Sequence, residues 1–366
     1  MAVEGGQKRP GRRQARTRQA GIHRSTGRAF VHTRAPGTSG RMMRPRVIPE
    51  WTDTDPRRTP IALRRELIQL GYNDRAIARL KKAEALNQPR RGAYVDGPTY
   101  ARLDETGRYA VRTRTVMRQA NTAVVASHVS AAVEYDSPTW GLDLAVTHLT
   151  RLDGEAGRKE AGVQQHCGRL IEGDVVSRNG IEMCSPTRTA IEVTMVAGVE
   201  PSLVVVNHLL HHALTTEAAL AERYTAEGAA MERWPRSLTS DLVLRLANPK
   251  LESAGETRTF MLCFRHHVPI PEPQVDVTDP NGIVVARVDF AWPEFKVFLE
   301  FDGKIKYQKL LKPGETVTDV VLREKRREEL ICRLTGWRCI RITWADLENP
   351  EATAAMIMRE LTRQTA

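Results

Sequence analysis

Apolar residues recur at helical spacing over residues 61–70, with Leu63, Leu67 and Leu70 on one face. Gly71-Tyr72-Asn73 interrupts that pattern, and Asn73 suits the N-cap of a second helix over residues 74–83. Ile77 and Leu80 of this second helix turn towards a core, whereas Arg75, Arg79 and Lys82 fall on the opposite face. Two short β-prone stretches follow around a basic turn, Leu86-Asn87-Gln88-Pro89-Arg90-Arg91-Gly92-Ala93-Tyr94-Val95. Helix, tight turn, basic helix and basic hairpin is the layout of a winged helix-turn-helix, which would lay Arg75, Arg79, Lys82, Arg90 and Arg91 against DNA. A solvated basic face is the plainer alternative.

Further along, residues 197–249 are helical in pattern, with apolar runs at 203–206 and 209–214 and a turn at Trp234-Pro235. His208, His211 and His212 cluster there, and His208 and His212 share a face. No HExxH-type carboxylate accompanies them, so a packed or surface helix is expected rather than a metal site. From Leu251 the order becomes α-β-β-α-β. Residues 251–267 read as a helix ended by Pro269, Pro271 and Pro273. Residues 282–290 alternate, with Val284, Ala286, Val288 and Phe290 on one face and Arg287 and Asp289 on the other. Residues 295–302 alternate again, sending Phe295, Val297, Leu299 and Phe301 one way and Glu300 and Asp302 the other. A basic helix over 319–335 and a closing strand over 337–344 complete the segment.

Composition narrows the class. A chain of 366 residues exceeds one ordinary core, so two or three folded domains are expected. No run of 18 apolar residues exists, which excludes a membrane-spanning helix. Five scattered cysteines without a CxxC pair favour free thiols in a reducing cytoplasm and argue against a zinc ribbon. Cys263 and His267 could share a helical face, where packing into a core is the simpler reading. The whole net charge of +11 sits in residues 1–46, and the remainder is balanced. Such a tail attracts phosphate without reading sequence, and its composition predicts disorder over residues 1–50. Met42 and Met43 offer an alternative start, in which case the tail would not be translated.

The acids carry the chemistry. Asp289 ends one strand, Glu300 and Asp302 end its hairpin neighbour, and Glu252 and Glu256 are spaced i,i+4 on the preceding helix. If that helix packs on the hairpin, four or five carboxylates converge. Two carboxylates about 4 Å apart repel by roughly 4 kcal/mol at an effective dielectric near 20, a cost removed by a proton or a cation. Oxygen-only ligation suits Mg²⁺ or Mn²⁺, which activates water and stabilises charge on a phosphodiester. Lys304, Lys306, Arg326 and Arg327 could hold the phosphate or leaving group. Surface salt bridges are the alternative.

Two resemblances sharpen this picture. Arg65-Glu66-Leu67-Ile68, Leu70-Gly71, Ile77, Leu86, Arg91-Gly92 and Tyr94-Val95 resemble the N-terminal domain of AbiEi-type antitoxins. These are winged-helix repressors of abortive-infection toxin–antitoxin systems. Ala126-Ser127-His128-Val129-Ser130-Ala131-Ala132, Val146-Thr147-His148-Leu149 and Ser185-Pro186-Thr187-Arg188-Thr189-Ala190 resemble that family's middle domain. Glu192 stands where the family commonly has Asp. His128, His148 and Arg188 are expected to be buried and hydrogen-bonded.

Glu252-Ser253-Ala254-Gly255-Glu256-Thr257, Arg287-Val288-Asp289-Phe290-Ala291-Trp292-Pro293, Leu299-Glu300-Phe301-Asp302-Gly303 and Gly336-Trp337-Arg338-Cys339-Ile340-Arg341 resemble the Vsr-like branch of the PD-(D/E)XK nucleases. The resemblance implies a restriction-endonuclease-like αβββαβ domain with Asp289 and Glu300 as metal ligands and Glu256 supporting them. Asp302 stands where that superfamily usually has lysine, a charge Lys304 or Lys306 would supply.

Together these readings give a multi-domain α/β (α+β) chain. It comprises a basic tail over 1–50, a winged helix over 51–106, a mixed middle domain over 107–249 and a nuclease-like domain over 250–366. The expected function is a cytoplasmic, Mg²⁺- or Mn²⁺-dependent DNA endonuclease or nickase in phage defence, with Glu256, Asp289, Glu300, Asp302 and Lys304 catalytic. Arg75, Arg79, Lys82, Arg90, Arg91, Arg326 and Arg327 would contact DNA, and a cognate toxin or other defence protein would be a further partner. The alternatives are a non-catalytic antitoxin-like repressor with a degenerate nuclease domain and a toxin acting on RNA.

Overall fold

Strand Ala62–Leu63 (β1) and helix Arg64–Gln69 (α1) divide a stretch whose periodicity predicts one helix. The backbone of β1 pairs with Ala93-Tyr94, so Leu63 ends a strand instead of opening a helical turn. Leu70 caps the short helix and is 74% exposed, which corrects its expected place on the buried face. The second helix is found at Asp74–Lys82 (α2), where the Asn73 side chain accepts from the Ala76 amide at 2.9 Å. Strands Leu86–Arg90 (β2) and Ala93–Asp96 (β3) follow, joined through Gly92, whose φ of +80° favours glycine. The three strands lie in the order β1-β3-β2, and Leu67, Ile77 and Tyr94 form the core beneath them.

The computed structural model describes residues 48–226, 237–303 and 316–363. All of these belong to one compact unit, Pro45–Ala366. The basic tail with its predicted disorder, the Trp234-Pro235 turn, and Lys304 and Lys306 lie outside the described residues. Among those described, no helix is long and apolar enough to cross a membrane.

Helices Gly97–Ala101 (α3) and Glu105–Gln119 (α4) lead into a mixed six-stranded sheet. Its strands are Val124–Ala126 (β4), Thr147–Arg151 (β5), Lys159–Glu160 (β6), Val163–His166 (β7), Val175–Arg178 (β8) and Ile181–Cys184 (β9), in the order β6-β7-β5-β4-β9-β8. Helices His128–Glu134 (α5), Pro186–Val196 (α6), Val199–His211 (α7), Glu217–Ala226 (α8) and Ser237–Leu246 (α9) complete this region. Leu203, Val205, Val206 and Leu209 of α7 are fully buried, as a helix apolar over most of its circumference must be. Glu134, also fully buried, is held by Arg114 at 2.7 Å and by Asn179 at 2.8 Å.

The last segment forms a four-stranded sheet in the order β10-β11-β12-β13. Its strands are Glu272–Thr278 (β10), Val284–Trp292 (β11), Val297–Asp302 (β12) and Arg338–Thr343 (β13), the last parallel to β12. Helix Ala254–Arg265 (α10) precedes β10, and Val317–Thr335 (α11) connects β12 to β13. Helices Trp344–Leu347 (α12) and Pro350–Thr362 (α13) close the chain.

Several expectations are corrected here. The helix predicted over 251–267 starts only after Ser253, whose hydroxyl accepts from the Glu256 amide, so Glu252 is not on it. His266 caps that helix and His267 has a φ of +56°, so Cys263 and His267 share no helical face. Strand β10, which the αβββαβ order implies, follows where the residue pattern alone marked only a break. Val288 and Phe290 join different apolar clusters, so the regular alternation expected along this strand breaks between them.

Candidate functional site

The acids meet at one place in this sheet. Gly255 of α10 lies so close to β12 that an added Cβ would stand 2.0 Å from the Phe301 ring. This approach brings the next residue, Glu256, over β11. Glu256 accepts from the Ser253 hydroxyl at 2.7 Å, the Glu252 amide at 3.0 Å and the Gln274 side-chain amide at 2.9 Å. Burial, then the nearby charge of Asp289, raise its pKa from the ordinary value to about 7 despite those donors. Asp289 itself accepts from the Phe301 backbone amide at 2.8 Å. Gln274 was not foreseen. Its backbone sits at φ +54° in β10, between the pairs Pro273–Phe290 and Val275–Val288, a strand that the αβββαβ resemblance implies but the residue pattern did not locate.

The remaining predicted residues are arranged differently. Glu300 reaches Arg327 at 3.2 Å, and Arg327 also donates to the Arg287 carbonyl at 2.5 Å. Arg327 therefore turns inward to a carboxylate and a carbonyl instead of outward to a phosphate. Arg326 is exposed on the same helix. Asp302 is half-buried at the end of β12, level with Thr343 of β13, and Lys304 lies outside the described residues. Glu252 is exposed before the helix and drops out of the expected convergence, whereas the register that pairs Phe290 with Leu299 puts Glu300 level with Asp289.

The basic residues of the N-terminal segment divide in the same way. Arg75, Arg79 and Lys82 are exposed on α2, and Arg91 is exposed at the hairpin turn. Arg90 is half-buried and lines a small cavity with Gln119, Arg158 and Gln165.

A second cluster lies in the six-stranded sheet. Among the described residues, one group of three potential ligands gathers with all ligand atoms within 4.8 Å of one another, and it consists of His128, His148 and His166. Nδ1 of His148 and Nε2 of His166 are 2.9 Å apart, and the His128 and His166 rings stack with centroids 3.7 Å apart. His128 opens α5 at φ +50°, its amide donates to Glu192 Oε2, and its Nδ1 lies 3.0 Å from the Ser127 hydroxyl. Glu192 in turn pairs with Arg188 at 2.8 Å. Burial of His128 and His148, and of Arg188, accords with the expected structural role. His166 was missed, because Val163-Gln164-Gln165-His166 has no apolar alternation to mark a strand. Burial pushes His148 down to about 4; burial and then His148 push His166 down to about 3. His208 is a packed helix residue, with Nε2 at 3.0 Å from the Tyr135 carbonyl.

No family profile matches the chain. It is similar to the uncharacterized proteins MT2308 and Rv2248 of Mycobacterium tuberculosis, each 29% identical over 99 residues. That stretch is 24% of this chain and 36% of each relative's own length.

Proposed function

We propose that the chain is a metal-dependent DNA endonuclease or nickase whose reacting centre is Glu256, Asp289 and Glu300. One observation carries this reading: a buried carboxylate, Glu256, shares its surroundings with the charge of Asp289 and has a pKa raised to about 7. Carboxylates shifted by burial and a neighbouring charge cluster at functional sites, though structural networks shift them too. The donors are oxygens only, which fits Mg²⁺ or Mn²⁺ and disfavours a thiophilic ion. When bound, such an ion lowers the pKa of a water and stabilises charge developing on a phosphodiester. Asp289 is oriented by the Phe301 amide, and Glu256 gives up its proton near neutrality. Arg327, paired with Glu300 at 3.2 Å, would have to leave that carboxylate to meet a phosphate.

The segment from Ala62 to Asp96 would serve as a winged helix that delivers DNA through Arg75, Arg79 and Lys82 on α2 and Arg91 at the turn. The likeness to AbiEi-type antitoxins and Vsr-like nucleases suits a role in phage defence, with a cognate toxin as a further partner. Mg²⁺- or Mn²⁺-dependent cleavage of DNA by the purified chain, lost in Asp289→Asn, tests the enzyme reading.

The Arg327–Glu300 contact at 3.2 Å favours a second reading, a repressor with a silent nuclease-like domain. Metal-independent binding upstream of its own gene, without cleavage of any DNA, would support that reading over the first.

A further inference from the structure

We infer that His128, His148 and His166 form a site for a borderline divalent transition ion, with Zn²⁺ the best match, separate from the acidic centre. Neutral imidazole is the common ligand for such ions, and three of them with an open position make a known type of zinc centre. Two nitrogen ligands on one tetrahedral Zn²⁺ stand about 3.3 Å apart at ordinary bond lengths. Nδ1 of His148 and Nε2 of His166 are already 2.9 Å apart, so a few tenths of an ångström separates the contact from a chelate.

Three elements supply the rings: the start of α5, strand β5 and strand β7. His128 directs Nδ1 towards Ser127 and towards Glu192 Oε2 at 3.4 Å, which leaves Nε2 for the ion. A carboxylate behind a ligating histidine is the usual arrangement that fixes its ring and tautomer. A cavity of about 210 Å³ adjoins the cluster, lined by His128, His166, Thr150, Cys167 and Glu192 among others. Thr150, 1% exposed, is among the lining residues, and its buried hydroxyl has no hydrogen-bond partner. The rings lie within 16–23° of parallel, whereas a common ion lies in the plane of each, so binding turns them about χ2 into the adjoining space.

The test is a cobalt titration of the tag-free full chain after chelation, followed by displacement with Zn²⁺. The expected result is one equivalent of Co²⁺ with the intense visible bands of four-coordinate cobalt, bleached by Zn²⁺ and unchanged in Asp289→Asn. His166→Gln and His148→Gln should each weaken Zn²⁺ binding by about tenfold or more. Absence of the cobalt bands in wild type, or equal affinity in folded His166→Gln, overturns the site. Should the histidine variants fail to fold, X-ray absorption on zinc-loaded wild type decides. A shell containing three imidazoles supports the assignment, and any other ligand set overturns it. Because Asp289→Asn leaves these histidines intact, loss of nuclease activity and loss of this site are separable outcomes.

Discussion

Asp289 and Phe301 are joined across the hairpin by a hydrogen bond of 2.8 Å from the Phe301 amide to Asp289 Oδ2. The ring of the same phenylalanine packs onto Gly255, one residue before Glu256. Phe301 thus fixes both members of the carboxylate pair, one through its backbone and one through its ring. Gly255→Ala would drive a methyl to 2.0 Å from that ring and is expected to cost about 1–3 kcal/mol by overpacking. Thermal unfolding of Gly255→Ala, with partial recovery in Gly255→Ala/Phe301→Leu, checks this; an unchanged Tm would refute the close approach.

Glu256 sets a pH dependence. Burial and then Asp289 raise its pKa from 4.5 to about 7, so the folded chain holds a proton that the unfolded chain has released. Stability of the metal-free chain should therefore fall as pH rises from about 4.5 to about 7 and level off above, by roughly 3 kcal/mol in all. Glu256→Gln removes this component. Urea unfolding in a chelating buffer across that range, compared for the two proteins, measures it, and parallel stability curves would contradict it.

Arg75, Arg79 and Lys82 stand exposed on one face of α2. Replacing all three by Ala should weaken DNA binding and reduce the slope of log K against log salt by about two to three, one unit per lost phosphate contact. Unchanged affinity and slope in a fluorescence-anisotropy titration would remove α2 from the interface.

Glu134 is fully buried between Arg114 and Asn179. Arg114→Met would leave that carboxylate without its cation, at an expected loss of about 3–5 kcal/mol. The double variant Arg114→Met/Glu134→Leu should recover much of it, as chemical denaturation would report.

Elements and candidate residues were legible where local signals and tertiary packing agree. Asn73 marked the start of α2 because a cap is a local hydrogen bond. Asp289 and Glu300 stood out as acids within otherwise apolar strands. Glu252 misled, since i,i+4 spacing presumes a helix that Ser253 in fact begins one residue later. Gln274 and His166 were invisible for a common reason. Each acts through a partner distant in sequence, Gln274 with Glu256 and His166 with His148, and the alternation of Val275 and Val277 with Asp276 and Thr278 marks a strand without marking that contact. The turn of Arg327 towards Glu300 likewise depends on how α11 crosses the sheet, which residue spacing does not encode.

The most direct measurement is DNA cleavage by wild type and Asp289→Asn with Mg²⁺ or Mn²⁺, on supercoiled and linear substrates. The asparagine can still accept from the Phe301 amide, so the fold should persist while cleavage drops by about a hundredfold or more. Equal cleavage by the two proteins, or none by wild type with either ion, would contradict a reacting centre at Glu256 and Asp289.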